Sequence, residues 1–519
     1  MARHHYHIEV VSTFTPKKIE TPKTSPKIYQ KNLIPILLIT IVVLGFYIAS
    51  TLIPKKCSFT PASYCSKLEG DIKNLTSSTT PIFQSLFSSG RFYDESLSKL
   101  YTSLTRLDET LSEINGQAKI DPQIHQIVNQ LILLSPSFSR LLAVNSQTSY
   151  LVLIQDPTEL RSSGGYIDTL AYFTLTNTHI TSSRFFSSSS LTASSPAPAS
   201  WQKLTRQTNW QIRDANFNPD FPSGAKEISS LFTRSTSLPV DYVIALDLTT
   251  LEKLLDISGL GSQSLIPLYL KQLSQTGSNN LFLSSLVSSL VPRLSQLPPS
   301  SQMAVARFLL SRLQSRQIYL YPSIPSWDGS FTPPSCPTTN CFSDFLIPVE
   351  NHLGPNKSSA FIIRSSSLSQ TFSDRLVTYE YRLTLENTST SSVWPAGTVK
   401  NYFQLFLPAA TSIDSVNMPY SASRLSGFNL ISLQIDIPPG KTQNLIVGYH
   451  QPLSQPLSQY LFSHLPQPGL LSLTFTHTLN FPDTWSVVTR QVPAVAQSSQ
   501  LRYNVQNPNP YILELDINQ

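Results

Sequence analysis

The spacing of hydrophobic positions changes several times along this chain, and each change predicts a different element. Leu33 to Ile53 is a run of 21 residues without a charge. At helical rise it is long enough to cross a hydrocarbon core of about 30 Å, which predicts a single transmembrane helix over 33–53. Within 57–147 the apolar residues recur at three and four. One run is Leu97, Leu100, Leu104, Leu107, Leu111 and Ile114; the other is Ile124, Ile127, Val128, Leu131 and Leu134. Gly116 and Asp121-Pro122 separate the runs, predicting an antiparallel helical hairpin. From 148 to 330 strand and helix patterns alternate. Leu151 to Ile154 and Tyr166 to Leu175 read as strands. Pro222 and Ser223 open a helix with Ala225, Ile228, Leu231 and Phe232 facing inward, and the strand Val240 to Leu246 leads to a short helix stopped by Gly259. That order predicts an α/β domain with a mostly parallel sheet, flanked by a mobile Ser/Ala/Pro-rich loop over Ser182 to Ser200. After a Pro-rich connector, 331–357, the period becomes two. Val377, Tyr379, Tyr381, Leu383 and Leu385 share one face, which predicts an antiparallel β-sandwich over 358–519. His477 has the inward parity of Phe475 and Leu479 and reads as a hydrogen-bonded core histidine.

Charge alters this picture through its location. The net charge is +6, and residues 1–56 carry eight lysines and arginines against Glu9 and Glu20, leaving 29 of each sign in the rest of the chain. The body is thus neutral, and with only 13% charged residues its surface should be hydroxyl-rich. Nothing in it forms the basic stripe that nucleic acid requires. Lysines gathered ahead of the span predict a cytoplasmic, disordered tail over 1–32 and a body outside the cell membrane. His4, His5 and His7 read as tail residues rather than a metal site. Cys57 with Cys65 and Cys336 with Cys341 form two close pairs beyond the membrane, where local disulfides are the simple reading, although other pairings and free thiols stay open.

Candidate chemistry concentrates between the first two α/β strands. A turn requires Gly164 and Gly165, but it does not require Asp156, Glu159, Arg161 and Asp168 around them. The runs ELRSSGGYI, NFNPDFP (Asn216 to Pro222), VDYVIALD (Val240 to Asp247) and LGPNK (Leu353 to Lys357) resemble, in this order, the membrane-anchored bacterial family of unknown function DUF4012, over roughly residues 148 to 480. That resemblance supplies a family but no activity. Glu159, Gly164, Gly165, Asn216 and Asp220 are the candidate ligand-binding residues within it.

The α/β part is also distantly similar in topology to the LytR-CpsA-Psr envelope proteins, which share a strand ending in an acid and a second strand opening with Asp-Thr. Those proteins transfer glycopolymers from polyprenyl-pyrophosphate carriers to the cell wall, using magnesium. The resemblance implies Asp156 and Asp168 as metal acids and Arg161 as a phosphate-binding group, the three forming a candidate catalytic set. This chain departs from that pattern: no late arginine-rich motif occurs, and Arg307, Arg312 and Arg316 fall on a helical repeat. An ion pair of Arg161 with Glu159, holding the Gly-Gly turn, is the competing account. Asp214 and Asp220 are spaced to allow a glycosidase pair, although helix capping explains Asp220 more cheaply. Two expectations result. One is a membrane-anchored envelope scaffold or polymer-binding protein and the other is a magnesium-dependent glycopolymer transferase, with Trp201, Trp210 and Trp327 as exposed sugar contacts under either.

Overall fold

The computed structural model describes residues 63–87, 94–114, 122–177, 179–261, 264–325, 327–331, 336, 340–425, 427–453, 457–489, 499–506 and 510–518. The tail 1–32, the span expected over 33–53 and Cys57 lie outside these residues. No described helix is long and apolar enough to cross a membrane.

In place of the expected hairpin stand three helices, Ser63–Phe87, Asp94–Ile114 and Pro122–Leu134. The additional one buries Leu68, Ile72 and Leu75. Its serines and threonines obscure that stripe in the sequence, yet Thr76, Ser78 and Thr79 donate back to carbonyls of Ile72 and Leu75 and so tolerate a helix interior. All three helices join the hydrophobic core on one face of the following sheet.

That sheet and its flank contain β1 (Gln147–Asp156), β2 (Tyr166–Thr176), β3 (His179–Ser187), a small ladder of β4 (Ser194–Pro196) with β5 (Asn209–Gln211), then β6 (Tyr242–Asp247) and β7 (Ile318–Tyr321). The main sheet has the order β3-β2-β1-β6-β7. Contrary to expectation it is not mostly parallel: β1 and β6 alone run parallel, and the other three pairings are antiparallel. The cause lies in the connections. A parallel pair needs a crossover, which the helix Phe221–Thr236 supplies between β3 and β6, whereas β1 to β2 and β2 to β3 are joined by loops only. The supposed mobile loop over Ser182 to Ser200 is a second correction, since its first part completes β3. Phe185 and Phe186 point to opposite faces there, against Phe173 and Phe232.

Leu151, Leu153, Val243 and Ala245 face the helix Phe221–Thr236, whose Ala225, Ile228, Leu231 and Phe232 are buried as its spacing predicts. Asp220 caps this helix through the Ser223 N–H. Asp247 caps the next, Leu248–Ser258, which ends on Gly259 at φ +74°.

The sandwich begins earlier than the period change implies. Within the expected 331–357 connector lies β8 (Cys341–His352), followed by β9 (Ile362–Phe372), β10 (Leu376–Asn387), β11 (Val399–Pro408), β12 (Ser412–Val416), β13 (Ser421–Leu425), β14 (Phe428–Ile437), β15 (Thr442–Pro452), β16 (Gln459–His464), β17 (Thr474–Asn480), β18 (Ser486–Thr489), β19 (Gln500–Gln506) and β20 (Tyr511–Asn518). Its sheets run β12-β15-β10-β9-β17-β19 and β13-β14-β11-β8-β16-β20-β18. The sandwich is not wholly antiparallel: β16 and β17 repeat the sheet-to-sheet path of β8 and β9 and lie parallel beside them. Cys336 and Cys341 form a disulfide across 5.5 Å between Cα atoms. The inward face of β10 is buried as expected, with Tyr379 stacked on its cross-strand partner Tyr449 at 4.4 Å.

His477 is a core residue and shares a 2.7 Å hydrogen bond with Gln370. His464 lies nearby, stacked on Phe475 at 4.0 Å, and its ring nitrogens have no partner among the described residues. Burial pushes its pKa from 6.5 down to about 3. The folded state therefore excludes a proton that the unfolded chain accepts, so this histidine's contribution is intact above the unfolded pKa and is lost as pH falls through the folded one. We expect wild-type stability, relative to His464→Phe, to decline by about 1.4 kcal/mol per pH unit on acidification below about pH 6.5. Urea unfolding at a series of pH values tests this, and parallel curves for the two proteins would contradict a buried neutral imidazole.

Candidate functional site

The candidate residues meet where β1 leaves the sheet. Between Ile154 and Gln155 the pairing with β2 slips by one residue, so Thr169 opposes Ile154, Ile167 opposes Gln155, and Asp168 is left as the bulged residue. A bulge re-aims its side chain, and here the Asp168 carboxylate turns to accept from the Tyr269 hydroxyl at 3.2 Å. Burial, then the neighbouring Asp156 charge, raise the Asp168 pKa to about 6, with Lys357 and Tyr269 opposing the rise.

Asp156 itself is fully buried. Its Oδ1 accepts from the Thr158 N–H at 2.9 Å and the Thr158 hydroxyl at 2.5 Å, while Oδ2 lies 3.0 Å from the Lys357 ammonium. Glu159 binds two cations: Oε2 is 2.8 Å from Lys357 and Oε1 is 2.8 Å from Arg161. Burial alone would lower the Lys357 pKa, but Asp156 and Glu159 outweigh it and hold the ammonium above its ordinary value. Arg161 is 4% exposed and also donates to the carbonyls of His352 and Leu160. The ion-pair account of Glu159 with Arg161 is therefore the one the geometry favours, enlarged by a lysine from the sandwich side.

Magnesium does not fit this arrangement. The Asp156 oxygens are committed to Thr158 and to the Lys357 ammonium, which occupies the position a metal would take. Among the described residues no group of three or more His, Cys, Asp or Glu forms a metal-binding set. The pairing of Asp156 with Lys357 competes with the expected role of Asp156 and Asp168 as metal acids.

The remaining candidates hold the loop itself. A Cβ on Gly165 would lie 2.1 Å from the Asp156 carbonyl oxygen, and Gly164 has φ +130°, so the loop's own backbone accounts for both glycines. Asn216 is buried and donates to the Gly165 carbonyl at 2.7 Å and to Ser163 Oγ at 3.1 Å. Asp220 is occupied as a helix cap. Asp247 likewise caps a helix and lies 3.7 Å from Arg312, which belongs to the helix Pro299–Gln314.

The same loop fastens the two domains. Ser162 donates to Asn351 Oδ1 from both N and Oγ at 3.1 Å, His352 N donates to the Leu160 carbonyl at 2.8 Å, and Gln467 Nε2 donates to the Arg161 carbonyl at 3.1 Å. Beside this fastening lies a cleft of about 710 Å³, with Tyr166, Asp168, Trp201, Arg213, Asp214 and Tyr269 on the α/β side and Leu353, Lys357, Lys400 and Gln434 on the sandwich side. Burial raises the Asp214 pKa, opposed by Arg161 and Arg213. Trp201 and Arg161 line the cleft, and behind its surface their buried Nε1 and Nε atoms have no hydrogen-bond partner among the described residues. The tryptophans correct another expectation, since Trp201, Trp210 and Trp327 are all buried. Trp201 packs on Phe217 at 5.3 Å, and Phe217 stacks on Tyr402 of the sandwich at 5.6 Å. Sequence reasoning missed Lys357 and Tyr269 as site residues. LGPNK marked the position of the first, and nothing local marked the second.

A mixed five-stranded sheet whose first loop is clamped by a β-sandwich thus defines the unit. Residues 145–261, its first four strands and crossover helix, match the model of a family described as a protein of unknown function, DUF4012. The match is narrower than the motifs suggest and stops short of LGPNK. No curated protein matches the sequence. Among solved structures, an M1 zinc metallopeptidase from Deinococcus radiodurans is similar over 30% of this chain and 41% of its own, at 13% identity and a TM-score of 0.18. A Legionella pneumophila protein described as nutrient binding is similar over 32% and 69%, at 9% identity and a TM-score of 0.22. The chain thus spans about two fifths of the metallopeptidase.

Replacing Lys357 by Leu leaves Asp156 with no cationic partner and Glu159 with Arg161 alone, and we expect a loss of about 3–5 kcal/mol in unfolding free energy. Denaturant titration measures it. A loss under about 1 kcal/mol, the scale of a surface pair, would show that Asp156 and Glu159 do not depend on the lysine.

Proposed function

We propose that this is a membrane-anchored envelope protein whose extracytoplasmic body binds a glycan in the cleft between its two domains, without catalysing its transfer. The observation that carries the reading is a cleft lined by Tyr166, Gln207 and the hydroxyls of Ser187 and Ser189, with two buried donors of its wall, Trp201 Nε1 and Arg161 Nε, left without a partner among the described residues. A buried donor without a partner costs free energy, and a small shift of the wall toward a ligand rich in hydroxyl oxygens would recover that cost. The ionised groups beside the cleft neutralise one another, which suits an uncharged ligand better than a free phosphate. The low charge of the whole body fits the same class of ligand.

A second reading, a glycopolymer transferase acting on a polyprenyl-pyrophosphate-linked substrate, has one supporting observation. On the helical face of the sheet lies a cavity of about 230 Å³ lined by residues such as Val152, Ile154, Phe173, Ile244, Leu290 and Leu313, which would suit a lipid chain. Against it stands the use of Asp156 and Arg161 in holding the domains together.

Calorimetric titration of the full chain in detergent with short neutral chito-oligosaccharides tests the binding reading. Trp201→Phe keeps an aromatic ring but removes the indole N–H, so we expect affinity to fall by up to about tenfold, the worth of one hydrogen bond, alongside a loss of unfolding free energy from the smaller ring in the core, with binding compared at temperatures where both proteins are fully folded. Absence of binding by the wild-type protein would refute the reading, whereas turnover of a polyprenyl-pyrophosphate sugar would favour the second.

A further inference from the structure

The cleft does not end at Gln434. That residue and Leu204 also line a second groove, of about 960 Å³, which runs on along the outer face of β11, β14 and β13. We propose that this groove extends the cleft into a binding channel for a linear, uncharged polysaccharide laid across both domains; the proposal rests on the glycan reading above.

The floor of the groove is ordered by strand register. Gln404 of β11 opposes Ser432 of β14, which opposes Ser421 of β13, forming a row of amide and hydroxyl groups across three strands. In the next row on the same face, Phe406 opposes Leu430, which opposes Ser423. The groove floor is therefore polar at the end nearer the cleft and becomes apolar beyond it, through Phe406 and Leu430 to Phe428 and Leu425, so it offers both hydrogen-bonding groups and apolar surface for the C–H faces of a sugar. Opposite the sheet, Pro198, Lys203, Asn218 and Pro219 of the α/β domain form the wall. Lys203 and Asp220 are the charged residues of the lining, one of each sign, and Asp220 is already engaged as a helix cap. An anionic polymer would find no cationic track here.

A separate observation points to a ligand. Gln404 is 7% exposed and lines the groove, and its Oε1 has no hydrogen-bond partner among the described residues. A buried amide oxygen of this kind awaits a donor, which a sugar hydroxyl would supply. At the rim Tyr420 is 45% exposed, a large ring left beside the groove as a platform for a pyranose face. Continuity through Leu204 and Gln434 means that a chain seated in the cleft would enter the groove without leaving the protein surface.

The test is a length series of neutral chito-oligosaccharides titrated into the full chain. In the wild type, affinity should continue to rise with length beyond the oligomer that saturates the cleft. Tyr420→Ala, at an exposed position that the fold does not need, should reduce affinity for long oligomers by about tenfold while leaving short ones unchanged. Gln404→Leu should act in the same direction on long oligomers, with no loss of unfolding free energy, because it removes an unsatisfied buried acceptor. If short oligomers bind but added length and both substitutions have no effect, the channel is refuted and the cleft reading survives. If no oligomer binds, both fall. Self-association in sedimentation that Tyr420→Ala abolishes would assign the groove to a second copy of the chain and overturn the proposal.

Discussion

A single ammonium group determines how the two halves of this protein meet. Lys357 Nζ lies 3.0 Å from Asp156 and 2.8 Å from Glu159, and Glu159 in turn holds Arg161. Each of these charges is costly to bury alone, and the cost is offset only when partners with good geometry stay in place. The acids and the arginine belong to the exit of β1, whereas the lysine follows β8 of the sandwich. Neither domain can neutralise its own charges there. Separation would expose a carboxylate-rich loop on one side and an unpaired lysine on the other, so the domain junction is part of the fold rather than a flexible docking.

The cleft follows from that clamp. In sheets containing parallel strands, ligands gather beyond the carboxyl ends of those strands. Here β1 and β6 provide such ends, and the sandwich covers them. The loop from Pro157 to Gly165 is taken up with holding the sandwich, which explains why residues resembling a catalytic set perform structural work. What is left for a ligand is the space beside the clamp, where the Asp168 bulge, Tyr269 and Trp201 look across at Lys400 and Gln434. A carboxylate at a strand end looks the same in sequence whether it holds a metal or a lysine. The partner decides, and this partner is 198 residues from Glu159 along the chain.

This separation also accounts for what could be read from the sequence. Local devices were legible: the helix opened by Asp220 and Pro222, the stop at Gly259, the two-residue period of β10, and the inward parity of His477. Strand direction was not, because alternation reports burial and not orientation, and a parallel sheet was inferred where connecting loops permit one parallel pair. The strand Cys341–His352 was hidden by prolines around it. Trp201 and Trp210 were expected at the surface from composition alone. Composition cannot tell that an aromatic chain through Phe217 and Tyr402 would draw them into the contact between domains. The Glu159–Arg161 pair was one of the two accounts open for the loop, while its extension to Lys357 was not legible.

The outer face of β11 departs from the alternation of a half-exposed strand. Phe403, Leu405 and Leu407 give the expected core face, but Tyr402 and Phe406 on the opposite parity are also apolar, and nine of the strand's ten residues are buried. A sandwich strand with one solvated face should alternate apolar with polar residues. Departure from that rule means the outer face is covered or occupied. Tyr402 is covered by Phe217 of the α/β domain. Phe406 packs against Phe331 and Phe428 at the edge of the groove. Between these two lies Gln404, a polar side chain on a buried strand with an unused oxygen. In a core built for stability alone that position would be apolar, since an unsatisfied buried amide is a net cost. Its presence at the point where the sheet floor opens into the groove is what a strand shaped both by packing and by contact with a hydrogen-bonding ligand would show.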